Sequence, residues 1–129
     1  MSEKDLVVIT GFKAVGEDER GITKEFSITK GQSDFIFITR KKDTISGNNY
    51  HLGIASSINP KRFVLLAGTM ELSYRKVGSH EKISQVIEAP CIISIKPQVI
   101  HAVRAVTDVM LLECNSIADI QNDNIKEMV

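Results

Sequence analysis

The sequence predicts one all-β domain, a closed barrel or sandwich, with a short helix near its carboxy terminus. About ten short β-favouring runs recur at nearly even spacing, and segments rich in turn residues separate them. Strands in that number leave few exposed edges only when the sheets close on one another. The 129 residues are close to the common size of one domain and too few for two hydrophobic cores.

The β-favouring runs predict the strands in order. They are residues 6–10, 23–28, 35–40, 49–55, 62–67, 70–76, 83–87, 91–95, 102–106 and 109–114. The predicted turns are residues 16–21, 30–34, 41–48, 56–61, 68–69, 77–81 and 107–108.

The carboxy-terminal segment has the pattern of a helix. Ser116 precedes Asp119 by three residues, which resembles a capping box at a helix start. Apolar residues then recur near helical spacing, at Ile117, Ile120, Ile125 and Met128. We expect this helix to pack on the barrel, and a recognition role is the alternative.

Composition excludes several classes of function. Sixteen Lys and Arg residues balance sixteen Asp and Glu residues, so we expect no nucleic-acid binding. No apolar run approaches the ~20 residues needed to span a bilayer, and the first residues lack the pattern of a signal peptide. A cytoplasmic protein without membrane association is therefore expected. Cys91 and Cys114 lie in apolar segments without CxxC spacing, which predicts buried, reduced thiols.

Two of the three histidines occupy informative places. The alternation of a strand puts Asn49 and His51 on one face. A proline turn at residue 97 leads into the strand that carries His101. Between them, alternation puts Lys61 on the same face as Phe63. These positions are the candidates for chemistry.

At these residues the chain resembles the cupin superfamily, which implies a small jelly-roll β-barrel over residues 1–129. The resemblance is closer to RmlC-like cupins that rearrange nucleotide-linked 4-keto-sugars. These are dTDP-4-dehydrorhamnose 3,5-epimerase, the sugar 3,4-ketoisomerases and the carboxy-terminal cupin domain of capsular polysaccharide epimerase-reductases. Their Asp-x-Arg-Gly signature matches residues 18–21, and a segment like Arg-Gly-Asn-His-Tyr-His matches residues 46–51. The order continues through residues 63–68 and 97–101.

The resemblance also locates the ligands of metal-binding cupins, which are two histidines, a glutamate and a late histidine. Here the corresponding residues are Asn49, His51, Lys61 and His101. Zinc or iron sites need three or four protein donors, and an ammonium has no lone pair to give. We therefore expect no metal and no other cofactor.

The resemblance implies an isomerase or epimerase of a nucleoside-diphosphate 4-keto-6-deoxysugar that serves polysaccharide sugar synthesis. The related rhamnose-pathway epimerases use a histidine base and a tyrosine acid without a metal. For these roles our candidates are His51 as the base, Lys61 or Arg20 as the cation that stabilises the enolate, and Tyr74 as the acid. His101 either shares the base role or holds His51 in its tautomer. We also expect Arg20, Asn49 and Glu113 to bind the substrate. An asparagine stands where the base of those epimerases would be, at position 49.

Each residue also has a structural interpretation. His51 and His101 are then hydrogen-bonded histidines of the barrel wall, Lys61 a solvated strand start, and Tyr74 a core tyrosine. Arg20 would then fix a turn through Asp18. The corresponding function is a non-catalytic cupin that binds a sugar or a partner enzyme. In either case we expect a homodimer formed through an edge strand.

Overall fold

The computed structural model describes residues 6–28 and 31–129 as two five-stranded antiparallel sheets that enclose one core. The predicted all-β architecture with a short carboxy-terminal helix is confirmed. The strands are β1 Val7–Gly11, β2 Lys13–Asp18, β3 Gly21–Glu25, β4 Ile36–Arg40, β5 Ile45–Tyr50, β6 Lys61–Ala67, β7 Thr69–Lys76, β8 Ile83–Glu88, β9 Cys91–Ile95, β10 Val99–Ala105, β11 Val109–Glu113 and β12 Ile125–Lys126. The helix α1 spans Ile117–Gln121, and a 3₁₀ turn spans Ser56–Ile58.

The two sheets place their central strands face to face. One sheet has the order β1-β9-β6-β11-β4, and the other has the order β12-β5-β10-β7-β8. Inward-facing apolar side chains fill the space between them, among them Leu65, Leu72, Ile93 and Val99. Both predicted cysteine thiols are buried and free. This core holds the two sheets in place and so fixes the positions of the polar side chains that lie between them.

Strands β2 and β3 pair with each other and form a separate two-stranded sheet. Every residue of both strands is exposed. Near the base of this hairpin, the rings of Phe12 and Phe26 stack at a centroid distance of 4.3 Å. The prediction that residues 16–18 belong to a turn is wrong, because β2 continues to Asp18.

The predicted helix is shorter than the apolar pattern indicated. The Ser116 hydroxyl accepts a hydrogen bond from the Asp119 amide at 3.1 Å, which confirms the predicted start. The helix ends at Gln121, however, and Ile125 pairs with Tyr50 as an edge strand. The prediction that helical spacing continues through Ile125 and Met128 is therefore wrong, because sheet pairing replaces helical hydrogen bonds there.

Strand β5 also differs from the prediction, which made residues 41–48 a turn and residues 49–55 a strand. The strand runs Ile45–Tyr50, and its pairing with β10 shifts between His101 and Ala102. Gly47 has φ +101° and Asn48 has φ +57°, so these two turn-forming residues mark an irregularity within the strand.

None of the helices in the described residues has the length and hydrophobicity that a membrane span requires.

Candidate active site

A cavity of about 140 Å³ lies between the two sheets, and it gathers most of the predicted site residues. Strands from both sheets contribute to its wall. The lining residues are Ile38, Arg40, Ser46, Gly47, Asn49, His51, Lys61, Phe63, His101, Val103, Leu111, Glu113 and Ile120. Five of the seven predicted site residues are in this set, and Arg20 and Tyr74 are not.

His51 follows the end of β5 and is buried. Its Nδ1 lies 2.6 Å from the backbone carbonyl oxygen of Asp123. A carbonyl oxygen only accepts hydrogen bonds, so Nδ1 carries the proton and the neutral ring keeps its lone pair on Nε2. Burial lowers the pKa of His51, an effect that outweighs the contact with Asp123, so the imidazole is neutral at pH 7.

His101 lies on the central strand β10, opposite Asn49 of β5. Its Nδ1 is 3.0 Å from the carbonyl oxygen of Val99, so this ring also carries its proton on Nδ1. Burial lowers the pKa of His101 to about 4. The two imidazole centroids are 5.7 Å apart, so the cavity holds a pair of neutral rings with the same tautomer.

Lys61 begins β6 and is 2% exposed, so the interpretation of a solvated strand start is wrong. Its ammonium donates to Asn115 Oδ1 at 2.5 Å and forms an ion pair with Glu113 Oε2 at 3.1 Å. The same nitrogen lies 5.0 Å from the centroid of the Phe63 ring. Burial lowers the pKa of Lys61, and the Glu113 carboxylate opposes that effect. The cavity therefore contains a fixed, desolvated cation.

The close approach of two strands explains why the motif of residues 46–51 has a glycine at position 47. A Cβ atom on Gly47 would lie 2.8 Å from the carbonyl oxygen of His101, too close for any larger residue. Two residues later, the Asn49 amide donates to Asn124 Oδ1 at 2.7 Å. Asn49 Oδ1 is buried and has no hydrogen-bond partner within the part of the chain that the structure describes. The motif thus brings β5 against the strand that carries His101.

Two predicted site residues lie elsewhere. Arg20 is on the exposed hairpin, where it forms an ion pair with Asp18 at 2.7 Å. This contact matches the structural interpretation of Arg20 as a turn-fixing residue. Tyr74 is opposite His101 on the neighbouring strand, but it is buried in the core and its hydroxyl accepts from Gln85 Nε2 at 3.2 Å.

The donors in this cavity do not fit a divalent metal ion. The two imidazoles face a buried ammonium, and Glu113 is already paired with that ammonium. Within residues 6–28 and 31–129, no group of three or more His, Cys, Asp or Glu side chains is arranged to hold a metal. The chemistry available here is proton transfer next to a fixed cation.

Sequence reasoning missed two residues of the site. Asn115, which holds Lys61, follows Glu113 by two positions, so strand alternation was a usable signal for it. Asp123, which contacts His51, is separated from it by 72 residues and has no local signal. Only the packing of the carboxy-terminal segment against β5 reveals it.

Comparison with solved structures identifies the fold. The chain is 19% identical to a mutant of the 3,4-ketoisomerase QdtA from Thermoanaerobacterium thermosaccharolyticum, solved with TDP-4-keto-6-deoxyglucose, with a TM-score of 0.70 over 95% of this chain and 88% of that one. The epimerase RmlC from Legionella pneumophila, solved with dTDP-4-keto-L-rhamnose, is 19% identical, with a TM-score of 0.64 over 89% of this chain and 69% of that one. Both of these proteins are RmlC-like cupins, and the likeness confirms the predicted cupin fold.

The capsular polysaccharide assembling protein CapF from Staphylococcus aureus is 18% identical, with a TM-score of 0.62. The match covers 92% of this chain and 33% of CapF, so this chain corresponds to about a third of that protein. A comparison with curated proteins found no match. The model of the polysaccharide biosynthesis C-terminal domain matches residues 16–125. Because that match covers most of the sequence, the chain belongs to the polysaccharide biosynthesis C-terminal domain family.

Proposed function

We propose that this protein is a metal-independent isomerase or epimerase of a nucleoside-diphosphate 4-keto-6-deoxysugar. One observation carries the proposal: two neutral imidazoles with Nδ1 protonated share a cavity with the buried ammonium of Lys61. A neutral imidazole is a suitable base near pH 7, and a fixed cation stabilises negative charge that develops on a nearby oxygen. The solved structures with keto-sugar ligands support the substrate class.

In the proposed reaction, Nε2 of His51 removes the proton from the carbon next to the ketone. The C–H bond breaks, an N–H bond forms, and the electron pair moves onto the ketone oxygen as an enolate. The Lys61 ammonium stabilises that oxygen. The proton then returns to carbon and the ketone forms again, so no oxidant or reductant is required.

His101 is a second candidate base in this proposal, because its Nε2 also keeps a lone pair. It lies in the cavity next to His51, whereas the Tyr74 hydroxyl is hydrogen-bonded to Gln85 away from the cavity lining. Asn49 and Glu113 line the same cavity, and we propose that they contact the sugar. Asn49 cannot act as a base, because an amide has no basic lone pair. We therefore propose His51, two positions later and in the same cavity, as the base.

Deuterium exchange tests the proposal. Incubation with a dTDP- or UDP-4-keto-6-deoxyhexose in heavy water should place deuterium at the carbon next to the ketone. His51→Asn should slow this exchange by about 10²-fold or more, because it removes the base. His80→Asn is the matched control, since His80 is exposed in a loop. Lys61→Met should also slow exchange while substrate still binds.

The second candidate function is that of a non-catalytic cupin. Asn49 favours this alternative, because the related epimerases have their catalytic histidine at the corresponding position. A binding module would bind nucleotide-sugars by calorimetry without any deuterium uptake. His51→Asn would then change affinity alone. That pair of results would contradict the isomerase proposal.

We also propose a homodimer, with the β2–β3 hairpin as the contact. A two-stranded hairpin is marginally stable by itself, and this one exposes Val15 by 61% and Ile22 by 52%. Arg20 lies outside the cavity of its own chain, and we propose that it reaches the substrate in the cavity of a second copy. A stable monomer in light scattering at micromolar concentration would contradict the dimer.

We further propose that the protein is cytoplasmic, as the sequence predicted. Cell fractionation tests this location.

A further inference from the structure

Asp123 contacts the segment after β5 through its carboxylate. Oδ1 accepts the backbone N–H of Leu52 at 2.7 Å, and Oδ2 accepts those of Gly53 and Ile54 at 2.8 and 2.9 Å. The residue is 4% exposed. Desolvation acts to raise the pKa of Asp123, but the three N–H donors outweigh it and hold that pKa below its usual value. A charged carboxylate therefore fixes three consecutive amides.

The backbone of Asp123 contacts the residue just before those amides. Its carbonyl oxygen is the 2.6 Å partner of His51 Nδ1. One residue thus binds four consecutive positions, 51–54, with its side chain and its main chain. A small displacement of this segment would move the imidazole and its carbonyl partner apart.

The chain on both sides holds Asp123 in place. Its amide donates to the carbonyl oxygen of Ile120 at 3.2 Å, at the end of α1. Two residues later, Ile125 pairs with Tyr50 at the edge of the sheet. The geometry of Asp123 is therefore set by the helix and by β12, independently of His51.

We infer that Asp123 is a positioning residue that orients His51 and fixes its Nδ1-protonated tautomer. Its effect on rate rests on the proposed function, whereas its effect on the tautomer does not. Without the carboxylate, the amides of residues 52–54 lose their acceptor and the segment can shift. The imidazole then moves away from the Asp123 carbonyl oxygen, and its tautomer is no longer fixed. A base whose lone pair points away from the substrate removes protons slowly.

The test compares Asp123→Ala and Asp123→Asn with Asp119→Asn. Asp119 is on α1, four residues before Asp123, and its carboxylate accepts from Ser57 Oγ instead of contacting the His51 segment. Asp123→Asn keeps the shape of the side chain and one acceptor oxygen, so it remains informative if the alanine variant does not fold. The readouts are the ¹⁵N shifts of the His51 ring at pH 7 and the kcat and KM of deuterium exchange.

We expect one Nδ1-protonated species in the natural protein and in Asp119→Asn. In Asp123→Ala we expect a mixture of tautomers, a fall in kcat of about 10²-fold and a nearly unchanged KM, with partial rescue by asparagine. A natural tautomer in both folded Asp123 variants would overturn the inference, whatever their rates. Absence of exchange in the natural protein would contradict the proposed function instead, and the tautomer measurement would still decide the role of Asp123.

Discussion

The cavity and the β2–β3 hairpin each contain an ion pair, and the two pairs differ in burial far more than in distance. In the hairpin, Arg20 and Asp18 are 2.7 Å apart, with side chains 86% and 43% exposed. In the cavity, Lys61 and Glu113 are 3.1 Å apart, with side chains 2% and 17% exposed. The shorter pair is the less consequential one, because water screens it.

Burial changes what each pair can do. A desolvated ammonium depends on its partners, since removing one leaves an uncompensated charge in a medium of low polarity. The same desolvation makes Lys61 effective towards charge that develops on a substrate. The Arg20–Asp18 pair is solvated, so losing one partner costs little. For the same reason, its charge is screened from any substrate in the cavity of the same chain.

The largest expected effect comes from breaking the buried pair. Glu113→Leu should lower the free energy of unfolding by about 3–5 kcal/mol, because it leaves the Lys61 charge without its carboxylate. Adding Lys61→Met should recover most of that loss, since no charge then remains unpaired. Urea denaturation at pH 7 measures both variants. Equal destabilisation in the single and double variants would mean that lost packing, not charge, dominates.

The next effect concerns pH and uses the buried His101. Its folded pKa of about 4 lies below the ordinary value of 6.5, so the unfolded chain binds more protons between these values. Stability should therefore fall as the pH falls from 6.5 to 4, by roughly 3 kcal/mol from this group. In His101→Gln, the free energy of unfolding should change less steeply with pH across that range than in the natural protein. The exposed His80→Gln variant should keep the natural slope.

A smaller effect is expected at the helix that carries Ile120 into the cavity wall. Ser116→Ala removes the acceptor for the Asp119 amide and should lower the free energy of unfolding by about 1 kcal/mol. Thermal or urea unfolding measures this loss. Ser116→Asn retains a capping side chain and should lose much less.

The smallest effect is expected in the hairpin. Arg20→Gln should leave the unfolding transition unchanged at protein concentrations low enough to favour a monomer, because both partners are solvated. Calorimetry at two protein concentrations checks this expectation. A loss of stability at the higher concentration alone would assign Arg20 to a contact between copies.

Local sequence patterns predicted most of the strands, because inward and outward residues alternate and turn residues separate them. The same alternation placed His51 and Lys61 on strand faces that line the cavity, and the proline turn at residue 97 indicated the strand that carries His101. It failed where turn-type residues sit within a strand, as at Gly47 and Asn48, whose positive φ angles belong to an irregularity of β5. Helical spacing likewise failed at Ile125, where pairing with β5 decided the structure.

By itself, the sequence determined the all-β class and the helix start at Ser116. These follow from residue type and near-neighbour spacing. Only the tertiary structure decided that Lys61 is buried against Glu113 and Asn115, that Arg20 lies away from the cavity, and that Asp123 holds His51. Burial and hydrogen bonding between residues 72 positions apart depend on how the sheets close, and no local pattern encodes that closure.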